Sequence, residues 1–163
     1  MATQLKNLSD FSHTTVPQGN DYKFAIAVAE WNAEITGSLY NGALATLLKY
    51  GVQEDNIFSV AVPGSFELTA AAEMLLQKHE DLDGVICLGC VIQGDTKHFD
   101  FICDAVANGL TQVGIKHGKA VIFCVLTTND QQQAIDRAGG KHGNKGDEAA
   151  ITALKMAHLK ATL

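Results

Sequence analysis

The sequence predicts an α/β fold in which parallel strands alternate with helices. Four short apolar runs recur along the chain, and each is followed by a stretch whose apolar residues repeat at helical spacing. Strands that alternate with helices form a parallel sheet with right-handed crossovers and helices on both faces. The chain has 163 residues, of which 47% are hydrophobic, so it can bury a substantial core within a single domain.

The first predicted strand follows an N-terminal arm. Residues 1–21 are polar and lack periodicity, so we divide the chain into an arm over 1–21 and one domain over 22–163. The run Phe24–Ala29 is apolar at every position, which is typical of a strand buried on both faces. A helix is predicted next, and Gly51 marks its end. The apolar residues at helical spacing in this segment are Ile35, Leu39, Ala43 and Leu47.

The next two units repeat this pattern. Ile57–Val62 and residues 84–91 are the predicted second and third strands. The helix after the second strand carries apolar residues on one face, namely Leu68, Ala71, Ala72, Leu75 and Leu76. The helix after the third strand does the same with Phe99, Ile102, Cys103, Val106, Leu110 and Val113.

The last part of the chain predicts a fourth strand over 120–126, a short helix over 130–138 and a final helix that ends near residue 160. A glycine-rich link over 139–146 joins these two helices. Taken together, the elements predict a flavodoxin-like three-layer α/β/α sandwich with a four-stranded parallel sheet.

Charge and apolar content argue against several classes of function. The chain carries 12 Lys and Arg against 18 Asp and Glu, a net charge of −6 at pH 7, which argues against a nucleic-acid partner. No apolar segment approaches the length needed to cross a bilayer, and the first residues lack the apolar core of a secretion signal. We therefore expect no membrane partner and a cytoplasmic location.

The cysteines lie in apolar strand or helix patterns and are Cys87, Cys90, Cys103 and Cys124. Cys87 and Cys90 have CxxC spacing, but residues three apart on a strand point to opposite faces of the sheet. No second pair completes a zinc site. We expect buried, reduced thiols and no metal site, which fits the cytoplasm.

Loops with unusual residues follow the predicted strands at 30–32, 63–67, 94–98 and 127–130. They meet at the carboxyl edge of the sheet, where open α/β sheets bind ligands. Trp31, the only tryptophan, is either a core-edge aromatic residue or a ring that stacks on a flat heteroaromatic ligand. Glu67 can complement the positive start of its helix, accept hydrogen bonds from sugar hydroxyls, or do both.

Residues 90–98, with the sequence Cys-Val-Ile-Gln-Gly-Asp-Thr-Lys-His, carry the clearest chemical signal. A glycine turn at the start of a helix gathers backbone N–H groups, a hydroxyl and an imidazole, which suits a phosphorylated small molecule. His98 lies at about the third predicted helical position, where it can carry a proton beside a bound phosphate. The positive helix terminus disfavours the imidazolium form, whereas Asp95 favours it, and the sequence does not decide between them.

Arg137, Lys141 and Lys145 form a basic group around the glycine-rich link. Such a group is either solvated charge near a helix end or a ligand for an anion. The link is not a Walker loop, because it lacks the Gly-Lys-Ser/Thr ending and no strand is predicted before it. The chain also lacks GxGxxG and GxSxG segments, which argues against dinucleotide-binding and serine-hydrolase functions.

Several segments together resemble the 6,7-dimethyl-8-ribityllumazine synthase family. The matching segments, in order and with matching spacing, are 31–32, 62–67, 88–99, 121–123, 126–128, 133–139 and 143–146. The resemblance runs from about Lys23 to the C-terminus and does not cover the arm. Trp31 stands where phenylalanine is frequent in the family, Gln93 replaces a frequent arginine, and Asp95 replaces a small residue. Because an acid beside a phosphate is unfavourable, we expect the backbone N–H of Asp95, not its carboxylate, to face the ligand.

The resemblance implies an enzyme of riboflavin biosynthesis that uses neither a cofactor nor a metal. The implied reaction condenses 5-amino-6-(D-ribitylamino)uracil with 3,4-dihydroxy-2-butanone 4-phosphate to 6,7-dimethyl-8-ribityllumazine, with release of phosphate and water. Two small-molecule substrates are therefore expected. The alternative is a non-catalytic protein of the same fold that binds a flavin or lumazine or forms a shell.

The resemblance also assigns roles to residues, and His98 is the implied catalytic residue. The implied ligands of the ribitylaminouracil are Trp31, Asn32, Ser65, Phe66, Glu67, Cys90, Val91, Ile92 and Phe123. The implied ligands of the butanone phosphate are Gly94, Asp95, Thr96, Arg137 and Lys141. The family places its site between neighbouring subunits, and the next subunit supplies Phe123, Arg137 and Lys141.

The same resemblance implies a homo-oligomer built of pentamers. Family members with a short glycine-rich link assemble twelve pentamers into a sixty-subunit shell, and because 139–146 carries no insertion we expect the shell. The arm is a candidate strand for the sheet of a neighbouring subunit. Riboflavin synthase is a candidate partner.

Overall fold

A computed structural model describes residues 7–163 of the chain. Its main sheet contains strands β1 (Phe24–Ala29), β2 (Ile57–Val62), β3 (Gly84–Ile92) and β4 (Ala120–Thr128) in the order β2-β1-β3-β4, all parallel. The helices are α1 (Ala33–Lys49), α2 (Leu68–Lys78), α3 (His98–His117), α4 (Gln131–Ile135) and α5 (Lys145–Thr162). Short 3₁₀ turns cover Glu54–Asn56 and Ser65–Glu67. The predicted flavodoxin-like α/β/α class is confirmed.

Helices cover both faces of the sheet because the side chains of each strand alternate between two apolar layers. On β1, Phe24 and Ile26 pack in a core shared with α1 and α5, whereas Ala25 and Ala27 pack in a second core with α2 and α3. Cys87 and Cys90 also fall into different layers, as their spacing predicts. The central strands β1 and β3 are therefore apolar along most of their length.

The predicted bounds of β1 and β2 agree with the structure, and those of several later elements differ from it. Strand β3 extends to Ile92 and β4 to Thr128, and these two residues lie opposite each other in the sheet. Helix α4 is shorter than the predicted 130–138, and the glycine-rich link contains strands β5 (Ala138–Gly140) and β6 (Gly143–Asn144), which pair antiparallel. The sequence did not predict this hairpin.

The described part of the predicted arm, residues 7–21, contacts its own chain. The Leu8 N–H donates to the His142 carbonyl at 2.8 Å, and Lys155 Nζ donates to Thr14 Oγ1 at 2.7 Å. Phe11 and Val16 pack against the core formed with α1 and α5. Residues 1–6 lie outside the described residues, so the added strand and the arm boundary stay predictions. Over 7–163, no helix is long and apolar enough to span a bilayer.

Candidate active site

A cleft of about 700 Å³ lies at the carboxyl edge of the sheet, where β1 and β3 end and α2 and α3 begin. Its lining includes many of the residues assigned to the site from the sequence: Trp31, Asn32, Ser65, Phe66, Glu67, Cys90, Val91, Ile92 and His98. Three of the four predicted loops thus build one cavity. The loop 127–130 does not line it, but the Thr128 carbonyl accepts a hydrogen bond from Gln93 N–H at 2.8 Å and supports the neighbouring turn.

Trp31 forms one rim of the cleft, and 72% of its surface is exposed. The loop that carries it is tied to the end of β2, because the N–H of Glu30 donates to the Val62 carbonyl at 2.8 Å and the N–H of Trp31 donates to the Pro63 carbonyl at 3.2 Å. A core-edge role would bury the indole ring. The exposed ring is instead available for stacking on a flat ligand.

The Ser65–Glu67 turn forms a second wall and leads directly into α2. Phe66 is 55% exposed, whereas Leu68, the first residue of the helix, is buried in the core. Within the described residues, the buried Oγ atom of Ser65 has no hydrogen-bond partner. The turn is therefore anchored by Leu68 and presents an aromatic ring and a carboxylate at the cleft.

The third wall is the end of β3. Burial raises the pKa of the Cys90 thiol to about 11, so this residue is a neutral thiol at pH 7 and a poor nucleophile. Val91 and Ile92 follow it and are half-buried. This wall therefore offers apolar surface rather than a reactive group.

His98 lies at the entrance to α3, on the same cleft. The structure places it at the first position of the helix rather than at about the third. Lys97 is the residue just before the helix, and its carbonyl accepts a hydrogen bond of 3.3 Å from the N–H of Phe101. The His98 N–H donates to Thr96 Oγ1 at 3.4 Å. Gly94, Asp95 and Thr96 lie in the exposed turn just before the helix and are not part of the cleft wall.

The remaining predicted site residues lie elsewhere in the same chain. Phe123 lies on β4 and is 41% exposed in a separate cleft of about 540 Å³ between α3, β4 and α5. Arg137 Nη1 donates to the Gln133 carbonyl at 3.0 Å. Lys141 pairs with Asp136 at 3.2 Å. One chain therefore does not bring these three residues to the cleft that contains His98.

Asp136 neutralises part of the positive charge of the basic group formed by Arg137, Lys141 and Lys145. A hydrogen bond from Gln132 first, and the pairing with Lys141 second, hold the pKa of Asp136 below its ordinary value. Asp136 therefore stays ionised at neutral pH.

Two residues of the cleft wall were not predicted as site residues. Gly64 precedes the Ser65–Glu67 turn, and Ile102 lies one helical turn after His98 on α3. The spacing from His98 to Ile102 could have found the second, since residues four apart share a helix face. The sequence assigned Ile102 to the core, and it also packs there.

The thiols are free at Cys87, Cys90, Cys103 and Cys124. In the part of the chain that the structure describes, no group of three His, Cys, Asp or Glu side chains is placed to hold a metal ion. The aromatic, carboxylate and imidazole groups that line the cleft belong to Trp31, Phe66, Glu67 and His98.

Comparison with known proteins identifies the family. A family model described as 6,7-dimethyl-8-ribityllumazine synthase matches residues 21–161. The chain belongs to this family. The resemblance inferred from the motifs is thereby confirmed, together with the enzyme class that it implies.

Relatives with this family's name align with nearly the whole chain. A 6,7-dimethyl-8-ribityllumazine synthase of Cytophaga hutchinsonii is 58% identical over 96% of this chain and 97% of its own length. That of Porphyromonas gingivalis is 56% identical over 98% of this chain and 99% of its own length. That of Flavobacterium johnsoniae is 51% identical over 98% of this chain and 84% of its own length.

Proposed function

We propose that this chain condenses 5-amino-6-(D-ribitylamino)uracil with 3,4-dihydroxy-2-butanone 4-phosphate to 6,7-dimethyl-8-ribityllumazine. The observation that carries the proposal is the cleft in which an exposed Trp31, the Glu67 carboxylate and His98 come together in a member of this family. Trp31 can stack on a flat pyrimidine, Glu67 can accept hydrogen bonds from a polyhydroxy side chain, and His98 can transfer protons.

The uracil substrate is assigned to the cleft itself. Its ring stacks on Trp31, and its ribityl hydroxyls donate to Glu67, while Cys90, Val91 and Ile92 supply the apolar wall. An ionised carboxylate is a strong acceptor for hydroxyl groups, which favours this orientation of the substrate. Ser65 and Phe66 complete the wall around the polyol.

The butanone phosphate is assigned to the turn before α3. Gly94, Asp95 and Thr96 offer backbone N–H groups and a hydroxyl there, close to the positive end of the helix. Arg137 and Lys141 of a neighbouring subunit supply the positive charge that the phosphate needs.

The reaction is mainly a problem of positioning. The substrate amine attacks the ketone and forms an imine with loss of water, phosphate is eliminated, and the second nitrogen closes the ring with loss of another water. His98 accepts and returns protons in these steps. Holding two substrates in a reactive geometry can lower the barrier by about 7–11 kcal/mol at best, so the proton carrier is one contribution among several.

The site is completed by a neighbouring chain. Support for this comes from Phe123, Arg137 and Lys141, which do not line the cleft of their own chain. A contact that joins the cleft of one chain to a different surface of the next either closes into a ring or grows into an open filament. We propose a pentamer, with twelve pentamers in a sixty-subunit shell, and riboflavin synthase as a partner that consumes the product.

The cellular location proposed for the chain is the cytoplasm. Four free thiols, three of them buried, support it, because reduced cysteines are usual where disulfides do not persist.

The direct test supplies both substrates to the purified protein and follows the absorbance of the lumazine product. The proposal expects product formation that depends on both substrates and releases an equal amount of phosphate. Binding of the uracil without turnover would support the non-catalytic alternative and overturn the proposal. The same assay on His98→Ala shows how far turnover depends on the imidazole.

A further inference from the structure

Asn32 has an unusual backbone conformation beside the cleft. Its dihedral angles are φ 60° and ψ 47°, and among residues 7–163 it is the one non-glycine residue with a positive φ. Left-handed backbone is unfavourable for L-residues, although asparagine adopts it more readily than most. Something in the surrounding structure must therefore hold this residue in place.

The side chain of Asn32 provides that hold. Its Nδ2 atom donates a hydrogen bond of 3.0 Å to the carbonyl of Cys90 on β3. The pairing between β1 and β3 ends at Val28 and Leu88, so Cys90 lies beyond the last residue of β3 that pairs with β1. The Asn32 amide thus ties the loop after β1 to β3 at a point where the backbone hydrogen bonds between β1 and β3 have ended.

Two hydrogen bonds hold the backbone around Trp31. Its own N–H donates to the Pro63 carbonyl on the β2 side, and the next residue is tied to Cys90 on the β3 side. With 72% of its surface exposed, the indole ring gains little fixation from packing. The backbone on either side of it therefore decides where the ring stands.

We propose that Asn32 is a positioning residue that fixes Trp31 for stacking on the uracil substrate. The inference rests on the proposed function and adds a role that acts through Trp31 rather than through a contact between the Asn32 side chain and the substrate. One of the two N–H groups of its Nδ2 is already engaged with the Cys90 carbonyl, so the side chain is held against β3 before any substrate binds.

The test compares the parent protein with the Asn32→Asp variant, both free of ligand. In the variant, a carboxylate replaces the amide donor and faces the Cys90 carbonyl. Because Trp31 is the only tryptophan, time-resolved fluorescence anisotropy reports its motion alone. We expect faster and wider motion of the indole in the variant. We also expect the KM for the uracil to rise roughly 3- to 10-fold, with the KM for the butanone phosphate unchanged.

Asn108→Asp is the matched control, since Asn108 Nδ2 makes a similar bond of 2.9 Å to the Asp104 carbonyl on the exposed surface of α3. It should leave the anisotropy and both KM values unchanged. Asn32→Gly keeps the left-handed backbone without the bond, and it gives the same comparison if the aspartate variant does not fold.

Unchanged Trp31 motion in both Asn32 variants would overturn the proposal, even if KM rises, because the residue would then act by direct contact. Faster motion without a change in the KM for the uracil would overturn it as well. If the parent protein makes no lumazine, the proposed function fails, whereas the anisotropy of the ligand-free protein still decides whether Asn32 fixes Trp31.

Discussion

The hydroxyl of Ser65 lies so close to Gly89 on β3 that a Cβ atom at position 89 would stand 2.6 Å from Oγ. The same Cβ would stand 3.0 Å from Leu68 Cδ1. Position 89 is thus where the Ser65–Glu67 wall of the cleft rests on the central sheet. The packing of that wall requires a residue without a side chain.

Gly89→Ala should destabilise the fold by about 1–3 kcal/mol, the usual cost of an overpacked core. Chemical denaturation measures this, and Gly37→Ala is the control, because a Cβ at position 37 of α1 meets no atom within 4 Å. The control should be as stable as the parent or gain about 0.4–1 kcal/mol. Equal stability of Gly89→Ala and the parent would contradict the close contact.

A double variant tests whether Ser65 Oγ causes the destabilisation expected for Gly89→Ala. Ser65→Ala removes the nearest atom, and since that Oγ has no hydrogen-bond partner among the described residues, its loss should cost little. The cost of Gly89→Ala should therefore shrink in the Ser65→Ala background, without disappearing, because the contact with Leu68 remains. Strict additivity of the two changes would argue against this account.

Trp31→Ala should weaken binding of the ribitylaminouracil by roughly 1–3 kcal/mol, the range for stacking of a base on an aromatic side chain. Trp31→Phe should have a small effect, because a phenyl ring can also stack. Titration of this substrate into the three proteins gives the affinities. If the parent and the alanine variant bind equally well, the exposed indole is not the stacking platform.

Arg137→Ala should raise the KM for the butanone phosphate far more than the KM for the uracil. Arginine offers a bidentate fork to phosphate oxygens, so Arg137→Lys should restore the affinity only in part. Steady-state kinetics with each substrate varied in turn separates the two constants. A parallel rise in both, or no rise in either, would exclude Arg137 as the phosphate ligand.

Glu73 gives the fold a dependence on pH at a distance from the cleft. It lies on α2 and pairs with Lys116 and, at 2.9 Å, with His117 Nε2 of α3. The hydrogen bond from Lys116 first, and that from His117 second, lower the pKa of Glu73. A carboxyl whose pKa is lower in the folded state stabilises the fold above its ordinary pKa, and this stabilisation is lost as the pH falls through the lowered value.

Glu73→Gln removes the carboxylate, so the parent should exceed it in stability at neutral pH, and the difference should shrink as the solution becomes more acid than the ordinary glutamate range. Denaturation curves of both proteins over a series of pH values measure this difference. A difference that stays constant with pH would show that the pairing with Lys116 and His117 does not depend on the charge of Glu73.

The sequence predicted much of the fold because its signals are local. The uniformly apolar run of β1 and the spacing of residues in α1 and α2 identify elements without knowledge of their neighbours. Thr127 and Thr128 belong to β4 through pairing with Val91 and Ile92, which no local pattern shows. The β5–β6 hairpin was missed for a similar reason, since a glycine-rich segment gives no strand signal.

For the site, too, local patterns could be predicted from the sequence, whereas contacts between distant segments could not. That Trp31, Glu67 and His98 line one cleft could be predicted, because loops after parallel strands meet at one edge and these residue types are unusual in plain connectors. The position of His98 at the first residue of α3 depends on where the helix begins, which is the least certain feature of a sequence pattern. The roles of Gly89 and of the bond from Asn32 to Cys90 depend on contacts between distant segments.

In the proposed enzyme, each active site joins the cleft of one chain to Arg137 of the next. Co-expression of His98→Ala with Arg137→Ala tests it most directly, assayed by lumazine absorbance at a butanone phosphate concentration well below the KM of the arginine variant. His98→Ala alone should lose activity by a factor on the order of 10²–10⁴, the usual contribution of a general acid or base.

In mixed rings, some sites pair an intact His98 from one chain with an intact Arg137 from its neighbour. With equal amounts of both chains and random assembly, about one site in four is intact, so the mixture should recover roughly a quarter of the parent activity. Activity that stays at the mean of the two separate variants would contradict the shared site, because it would mean that each chain completes its own.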